Sequence, residues 1–312
     1  WLVKFPGTTR NLQGSVPSYT TAPVSEWLGS HVYAALGIPV HETVLGIRDG
    51  RIVCACRDFT FPDSRLVNFH DLKNSLSDDE PGFTEDASTG SGVVLADVRS
   101  AIHRIPVLRS IDGVSDRFWD MFVVDAFIRN IDRNNTNWGV LRNPRGEFSL
   151  APVYDNGNSF NNKRTDSGIE RRLANPDLIR QDALDVRSCY VTDRGKPIAP
   201  LKYLASGQDE ECTKALDRFM ERYDPRSFHD LLGSIPSMSH GLTVVPDGFH
   251  EYHRRVCDYR YEHAFMEAWR DLHPTVGVPS SPEASVPEPL PDPDPSVLPS
   301  SSVPTCFDGP GM

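Results

Sequence analysis

The sequence feature that most constrains the fold is an apolar segment at residues 115–129, which is followed directly by a polar loop rich in Asp and Asn. The segment is apolar on nearly all of its helical faces, as is typical of a helix buried at the centre of a domain. Its apolar run, 118–128, is interrupted by Asp120 and Asp125 and is far shorter than the roughly 20 residues that a membrane span needs. We therefore predict a buried central helix over 115–129, with Ser115 as its N-cap, and no membrane span.

Charge is unevenly distributed along the 312 residues, whose formal net charge is −11. Five acidic residues lie in the Pro- and Ser-rich segment 274–312 and five in the segment 76–86, and neither segment contains Lys or Arg. The remainder of the chain is therefore nearly neutral. Since binding through nucleic-acid phosphates requires a basic surface, we expect no direct nucleic-acid binding. The composition of 274–312 predicts a disordered tail.

The six cysteines are too few and too scattered for a disulfide framework in a chain of this length. We therefore expect a reducing compartment, with the cytoplasm as the default location. Trp1 lies inside a predicted strand that no Met or turn precedes. We expect the native N-terminal segment to lie upstream of Trp1, so an export signal, and hence secretion, stays open.

The first part of the chain, residues 1–60, alternates strand and helix signals. A helix signal with Ser25 as its predicted N-cap ends near Leu36, where Gly37 is a stop signal. Strands are predicted at residues 1–5, 43–47 and 52–56. Residues 1–60 are therefore predicted to form a small β-rich N-lobe with one helix.

The second part, residues 61–273, contains a polar, acidic loop or linker at 74–92 and is largely helical beyond it. Besides the central helix, two late helices are predicted at about 209–223 and 248–272. The fold class is therefore α+β, with a β-rich N-lobe, a larger helical C-lobe over 61–273 and a tail over 274–312.

The polar loop after the central helix contains the residue types that phosphoryl transfer requires. Asp132 and Asn137 have the D-x-x-x-x-N spacing of a kinase catalytic loop, and Asp155 follows a predicted hairpin. In this chemistry one carboxylate orients the attacking hydroxyl, while the amide and a second carboxylate bind metal ions at the nucleotide phosphates. Taken alone, such a loop is more often a turn stabilised by its own side chains. The order of helix, loop, hairpin and second carboxylate favours the kinase interpretation.

Four segments carry a family resemblance: N-x-D-R-x-x-x-N-W-G at 130–139, L-A-P-x-Y-D at 150–155, V-K-F-P at 3–6 and S-E-W-L-G at 25–29. In order and spacing they resemble the HipA-like serine/threonine kinases, and most of all the CtkA-like subgroup. The resemblance extends over roughly residues 1–235 and excludes the tail. It implies a two-lobed protein-kinase-like fold whose N-lobe is truncated at its start. It also implies ATP and two Mg²⁺ ions as cofactors, a protein substrate and autophosphorylation.

The resemblance assigns roles to the residues of the second part. It implies that Asp132 is the catalytic base and that Asn137 and Asp155 bind metal. Asn134 stands where many relatives carry His, so the role of that histidine is not transferred. Asp125 is expected to be a buried structural carboxylate that bonds to the catalytic loop.

The resemblance also assigns nucleotide-binding roles in the first part. Lys4 is implied to contact the nucleotide phosphates, with Glu26 as its ion-pair partner and Glu42 as the alternative. A hinge whose backbone groups bind adenine is implied at Cys56, Arg57 and Asp58. The loop that covers the phosphates is expected to precede Lys4, upstream of Trp1. Autophosphorylation sites are conceivable at Ser15, Ser18 and Thr20.

Two alternative functions stay open. D-R-x-x-x-N followed by a metal-binding Asp also resembles phosphoinositide kinases, which favours a lipid or small-molecule kinase. Asn134 and the expected absence of the front loop favour a catalytically inactive nucleotide-binding module, such as a toxin with an antitoxin partner.

One basic cluster has no assigned role, and it consists of Lys163, Arg164, Arg171 and Arg172. These residues would bind a substrate phosphate or an acidic peptide, or else form a solvated basic face.

Overall fold

The computed structural model of the chain describes residues 1–7, 20–77 and 92–274. Apart from Pro274, the predicted disordered tail lies outside these residues, as do Ser15, Ser18 and all of the predicted linker beyond residue 77 except Gly92.

The elements at the start of the chain are a three-stranded sheet and one helix: β1 (Leu2–Lys4), α1 (Ala22–Ala35), β2 (Thr43–Arg48) and β3 (Arg51–Cys56). The strands are antiparallel in the order β1-β3-β2, and Lys4 is paired with Cys54. Asp49 and Gly50 both have positive φ, as a two-residue type I′ turn between β2 and β3 requires. The sheet therefore fixes Lys4 at the end of an edge strand.

The predicted start of α1 is wrong. Thr21 is the N-cap and Ser25 lies buried within the helix. Pro23 explains the earlier start, because a proline in the first helical turn needs no hydrogen-bond acceptor for a backbone N–H. Leu28, Val32 and other apolar side chains of α1 are buried, and the helix packs against β2 and β3.

The remaining strands form three small sheets, with the bounds β4 (Arg65–Asn68), β5 (Val93–Val94), β6 (Gly139–Arg142), β7 (Phe148–Leu150), β8 (Tyr190–Val191), β9 (Met238–Ser239) and β10 (Leu242–Thr243). The sheet β4-β6-β7 is antiparallel and contains the predicted hairpin. A Cβ atom at Gly139 would lie 2.3 Å from the carbonyl oxygen of Val67. Only glycine therefore permits β6 to pair this closely with β4 directly after the polar loop.

Eleven further helices surround the core within the described residues: α2 (Phe69–Ser77), α3 (Leu95–Arg104), α4 (Pro106–Arg109), α5 (Val114–Ile128), α6 (Asp166–Leu173), α7 (Pro176–Leu184), α8 (Pro200–Ser206), α9 (Glu210–Arg222), α10 (Pro225–Ser234), α11 (Phe249–Arg260) and α12 (Met266–Leu272). A π-helical turn, Tyr261–Phe265, joins α11 to α12. Helices α9 and α11–α12 confirm the two predicted late helices.

Helix α5 confirms the predicted central helix. Phe118, Trp119 and Phe127 on different faces of it are fully buried. The predicted cap is wrong, because Gly113 is the N-cap and the Ser115 hydroxyl donates to Glu211 Oε1 at 2.7 Å. No helix among the described residues is long and apolar enough to cross a membrane. The predicted lobe boundary at residue 60 stays a prediction.

Candidate active site

The polar loop begins where α5 ends, at Arg129, whose φ of 57° turns the chain out of the helix. The Asp132 carboxylate accepts hydrogen bonds from two side-chain amides, Asn134 Nδ2 at 2.9 Å and Asn158 Nδ2 at 2.7 Å. Asn137 Nδ2 donates to the backbone oxygen of Asp132 at 2.8 Å. The loop therefore brings the predicted base and a predicted metal ligand together, with the carboxylate held in a fixed orientation.

Arg133 is the buried hub of the loop and is 1% exposed. Its guanidinium donates to Asp125 Oδ2 at 2.8 Å, Asn156 Oδ1 at 2.5 Å and the Asn137 carbonyl at 3.0 Å, and also to the Tyr154 carbonyl. Burial alone would lower the pKa of Arg133, but the Asp125 carboxylate raises it well above its usual value. Asp125 is therefore the buried structural carboxylate that the sequence predicts.

Helix α1 contacts the same network. The Tyr33 hydroxyl donates to Asp125 Oδ1 at 2.8 Å, and Asn156 Nδ2 donates to Ser30 Oγ at 3.0 Å. A Cβ atom at Gly29 would lie 2.8 Å from Asn156 Cβ, so this close approach requires glycine. One hydrogen-bonded network thus fixes the polar loop, the segment around residue 155 and α1 relative to one another.

Lys4 joins two carboxylates from distant parts of the chain. Its Nζ lies 2.8 Å from Glu26 Oε2 and 2.6 Å from Asp155 Oδ1. The Glu26 side chain is inaccessible, whereas those of Lys4 and Asp155 are 27% and 40% exposed. Glu42 does not take this position, because it forms an ion pair with Arg57 at the surface. The structure thus selects Glu26 over Glu42 as the partner of Lys4.

His41 is a site residue that the sequence analysis missed. Its buried Nε2 lies 2.9 Å from Glu26 Oε1, on the opposite side of the carboxylate from Lys4. Burial would raise the pKa of Glu26, but contact with His41 and Lys4 lowers it to about 2. Burial would likewise lower the pKa of Lys4, but the two carboxylates raise it to about 12. Lys4 and Glu26 therefore both stay charged near neutral pH.

The predicted hinge begins at the end of β3. Cys56 is buried and pairs with Leu2 on one side and Thr43 on the other. The Arg57 backbone N–H donates to the Glu42 carbonyl at 2.8 Å. Cys56 is thus part of the sheet, and the Arg57 N–H already has an acceptor.

The hinge continues through Asp58, which is exposed. Its Oδ1 accepts the Thr60 backbone N–H at 2.9 Å and the Thr60 hydroxyl at 2.6 Å. The ring of Phe59 contacts that of Tyr154, with 5.5 Å between centroids. This contact connects the hinge to the residue that precedes Asp155.

The donor atoms suit a magnesium nucleotide. Asn137 Oδ1 and the Asp155 carboxylate are hard oxygen donors, the type that Mg²⁺ prefers. Asp155 has a φ of 60°, a conformation that non-glycine residues adopt rarely and mostly where the surrounding structure enforces it. Lys4 adds a half-buried cation that suits a phosphate oxygen. The residues present therefore fit ATP and a divalent cation.

Comparison with known proteins agrees with this chemistry. The chain is 33% identical over 241 residues to the serine/threonine-protein kinase CtkA of Helicobacter pylori (strain J99), and the alignment covers 77% of this chain and 71% of the relative. The crystal structure of a Helicobacter pylori proinflammatory kinase CtkA matches with a TM-score of 0.75 and 28% identity over 88% of each chain.

A HipA structure from a Shewanella oneidensis MR-1 toxin–antitoxin complex with HipB and operator DNA has a TM-score of 0.48 and 12% identity, over 86% of this chain and 59% of that chain. No protein-family model matches the chain.

The similarity to CtkA extends over most of both chains in sequence and in structure. It confirms the predicted α+β kinase-like fold and the predicted class of enzyme, a phosphotransferase that uses ATP and a divalent metal ion. The chain therefore belongs to the serine/threonine-protein kinase family of CtkA, the subgroup of HipA-like kinases that its motifs resemble.

Proposed function

We propose that Asp132, Asn137, Asp155 and Lys4 carry out transfer of the ATP γ-phosphate to a Ser or Thr hydroxyl of a protein substrate. The observation that supports this most is that one network, centred on Arg133, holds the loop of Asp132 and the segment of Asp155 together. Phosphoryl transfer depends mainly on positioning and charge stabilisation, which such a network supplies.

Asp132 would orient the substrate hydroxyl and accept its proton. Its carboxylate has two oxygens, and each accepts one amide hydrogen bond, from Asn134 and from Asn158. A carboxylate oxygen has room for a further donor, so the substrate hydroxyl can bond to it without displacing either amide. The two amides thereby hold the carboxylate in one orientation, a role that mobile water would not perform. This orientation fixes the direction in which the proton is transferred.

Asn137 and Asp155 would hold the metal, and two Mg²⁺ ions are the expected number. When bound, Mg²⁺ neutralises charge on the phosphate oxygens. In this structure the Lys4 ammonium group donates a hydrogen bond to Asp155. When nucleotide binds, we expect Lys4 to donate to a phosphate oxygen instead. Glu26 and His41 would keep Lys4 charged and in place during that exchange.

The hinge would bind adenine through its backbone. Because the Arg57 N–H donates to Glu42, the backbone groups left for adenine are the Arg57 carbonyl and the Asp58 N–H. The buried end of β3, at Cys56, would form the surface against which the adenine ring packs.

The substrate is expected to be a protein, which includes the chain itself through autophosphorylation. Of the three predicted autophosphorylation sites, Ser15, Ser18 and Thr20, the structure describes Thr20 alone. Thr20 is buried, and its hydroxyl accepts a hydrogen bond from the Gly7 N–H at 3.2 Å. An antitoxin partner rests on the family resemblance and a cytoplasmic location on the cysteine content, and both stay predictions.

Phosphate transfer from radiolabelled ATP tests the proposal in the chain with Mg²⁺ present. We expect Asp132→Asn to lower labelling of protein by about 10²- to 10⁴-fold, the contribution of a positioned base. Asp155→Asn is expected to abolish metal-dependent labelling. Asp193→Asn is the matched control, because Asp193 is exposed in a turn between β8 and α8.

Equal labelling by all four proteins would overturn the assigned roles. Label found in phosphoinositide vesicles and never in protein would favour a lipid kinase. Binding of ATP without turnover would favour an inactive module.

A further inference from the structure

The basic cluster of the sequence does not form a flat solvated face. It lines a cavity of about 640 Å³, a volume within the range of ligand pockets. Five cationic side chains contribute to the wall, namely Arg129, Lys163, Arg164, Arg171 and Arg172. None of the residues described as lining the cavity is acidic.

Two of the five cations form the fixed wall of this cavity. Arg164 Nη2 lies 2.8 Å from Asp182 Oδ1, and Arg172 Nε bonds to Asp182 Oδ2. The Tyr252 hydroxyl donates to the same carboxylate at 2.6 Å. A single carboxylate thus faces two guanidinium groups, so this wall keeps an excess of positive charge in a rigid position.

The other three cations have no carboxylate partner among the described residues. The only acceptor that the Arg129 guanidinium has there is the Asp185 carbonyl, at 3.3 Å. Burial and the neighbouring Arg164 charge lower the pKa of Arg129. Lys163 and Arg171 are exposed and make no ion pair within the described part of the chain. A bound anion would relieve the repulsion among these groups.

The cavity lies beside the catalytic base. Asn158 lines it and also donates to Asp132 Oδ2 at 2.7 Å, and Ile131, the residue before Asp132, lines it as well. A peptide whose hydroxyl reaches Asp132 would therefore place a neighbouring residue at the cavity. The cavity is large enough for a side chain together with part of its backbone.

We propose that this cavity is a specificity subsite that binds an anionic side chain, a carboxylate or a phosphorylated residue, next to the target hydroxyl in the protein substrate. The role of the bound segment as substrate rests on the proposed function. Arginine donors arranged around a pocket match both carboxylate and phosphate oxygens.

Peptide binding tests the subsite without requiring phosphate transfer. Fluorescence anisotropy is measured with labelled peptides whose central Ser is flanked by Glu, by phosphoserine or by Ala, in the absence of ATP. We expect the Glu and phosphoserine peptides to bind at least about tenfold more tightly than the Ala peptide. The ratio between the Glu and phosphoserine peptides shows which anion the cavity prefers.

The variant Lys163→Glu/Arg171→Glu is expected to remove this preference, because it reverses two exposed charges and leaves the wall around Asp182 intact. The matched control is Arg194→Glu/Lys196→Glu, which reverses the same residue types at exposed positions after β8. It should keep the preference. Circular dichroism establishes that both variants are folded.

Three outcomes of the binding measurements would overturn the subsite: equal binding of acidic and Ala peptides, equal loss in both variants, or displacement of the acidic peptide by ATP alone. Tight binding of acidic peptides without any phosphate transfer would leave the subsite standing and count against the proposed function. Transfer to the Ala peptide as efficient as to the acidic peptides would support the kinase activity and overturn the subsite.

Discussion

Arg133 and the cations of the basic cavity both lie close to Asp132, and they differ in how their charges are satisfied. Arg133 is buried, and its guanidinium bonds to Asp125, Asn156 and two backbone carbonyls. The cations of the basic cavity, in contrast, share the carboxylate of Asp182 or have none among the described residues. The bonds of Arg133 therefore stabilise the fold, whereas the cations of the basic cavity keep positive charge that can bind a ligand.

The difference follows from the cost of burying charge. A buried guanidinium is tolerated only when carboxylates and carbonyls replace its water. Exposed or half-exposed cations keep their hydration, so they need no protein partner and can exchange water for an anion. The contrast predicts large losses of stability for changes at Arg133 and small ones for changes at the rim of the cavity.

The largest effect is expected for Arg133→Met. This change leaves the Asp125 carboxylate buried without its cation, which should lower the free energy of unfolding by about 4 kcal/mol. Denaturant unfolding followed by circular dichroism measures the loss. A second variant, Arg133→Met/Asp125→Leu, removes both charges and should recover part of it. If the double variant is no more stable than Arg133→Met, the Arg133–Asp125 pair is not the source of the loss.

Glu26→Gln should have the next largest effect, because Glu26 is the inaccessible carboxylate between Lys4 and His41. The pKa of Glu26 is lowered from 4.5 to about 2, and a shift of this size corresponds to roughly 3 kcal/mol of stability at neutral pH. Since the folded-state pKa is the lower one, this contribution is present above pH 4.5 and is lost as pH falls toward 2.

Acid titration of stability checks this prediction. The free energy of unfolding of the unmodified chain should decline between pH 4.5 and 2 in part through Glu26, and the Glu26→Gln variant should lack that part. Glu42→Gln is the control, because Glu42 forms its ion pair with Arg57 at the surface. Identical acid profiles for all three proteins would contradict the buried ion pair.

The polar loop around Asp132 could be predicted from the sequence because its signals are local. Asp132 and Asn137 are five residues apart in one loop, and Asp125 lies in the last turn of the helix that leads into this loop, so their separation in sequence is short. The central helix was predictable for the same reason, since its apolar residues occupy every face.

His41 and Asn158 were not predictable, because long-range contacts position them. The His41 backbone N–H donates to the Val153 carbonyl at 3.0 Å, and this pairing fixes where the His41 side chain points. The predicted cap at Ser115 failed for a related reason. The Ser115 hydroxyl bonds to Glu211, almost a hundred residues later in the chain, instead of to its own helix.

Gly29→Ala is expected to have an intermediate effect, because it disturbs the packing between α1 and the network of Arg133. The new Cβ atom would lie 2.8 Å from Asn156 Cβ, which forces a shift that costs about 2 kcal/mol. Asn156 follows Asp155, so the rate of phosphate transfer should fall as well. Gly233→Ala in α10 is the control, since a Cβ atom there meets nothing within 4 Å. It should not lower stability, and the gain should be below about 1 kcal/mol because Gly233 lies in the last turn of α10.

The smallest effect is expected for Lys163→Gln/Arg171→Gln at the rim of the cavity. Both side chains are exposed and have no ion pair within the described residues, so their removal breaks no contact. It also relieves repulsion from Arg129, Arg164 and Arg172, so stability should stay within about 0.5 kcal/mol of the unmodified chain or rise slightly at low salt. The difference should vanish in 0.5 M NaCl, a concentration chosen because the screening length there is only about 4 Å. A salt-independent loss of several kcal/mol would show instead that these two cations support the fold, and the contrast with Arg133 would then be wrong.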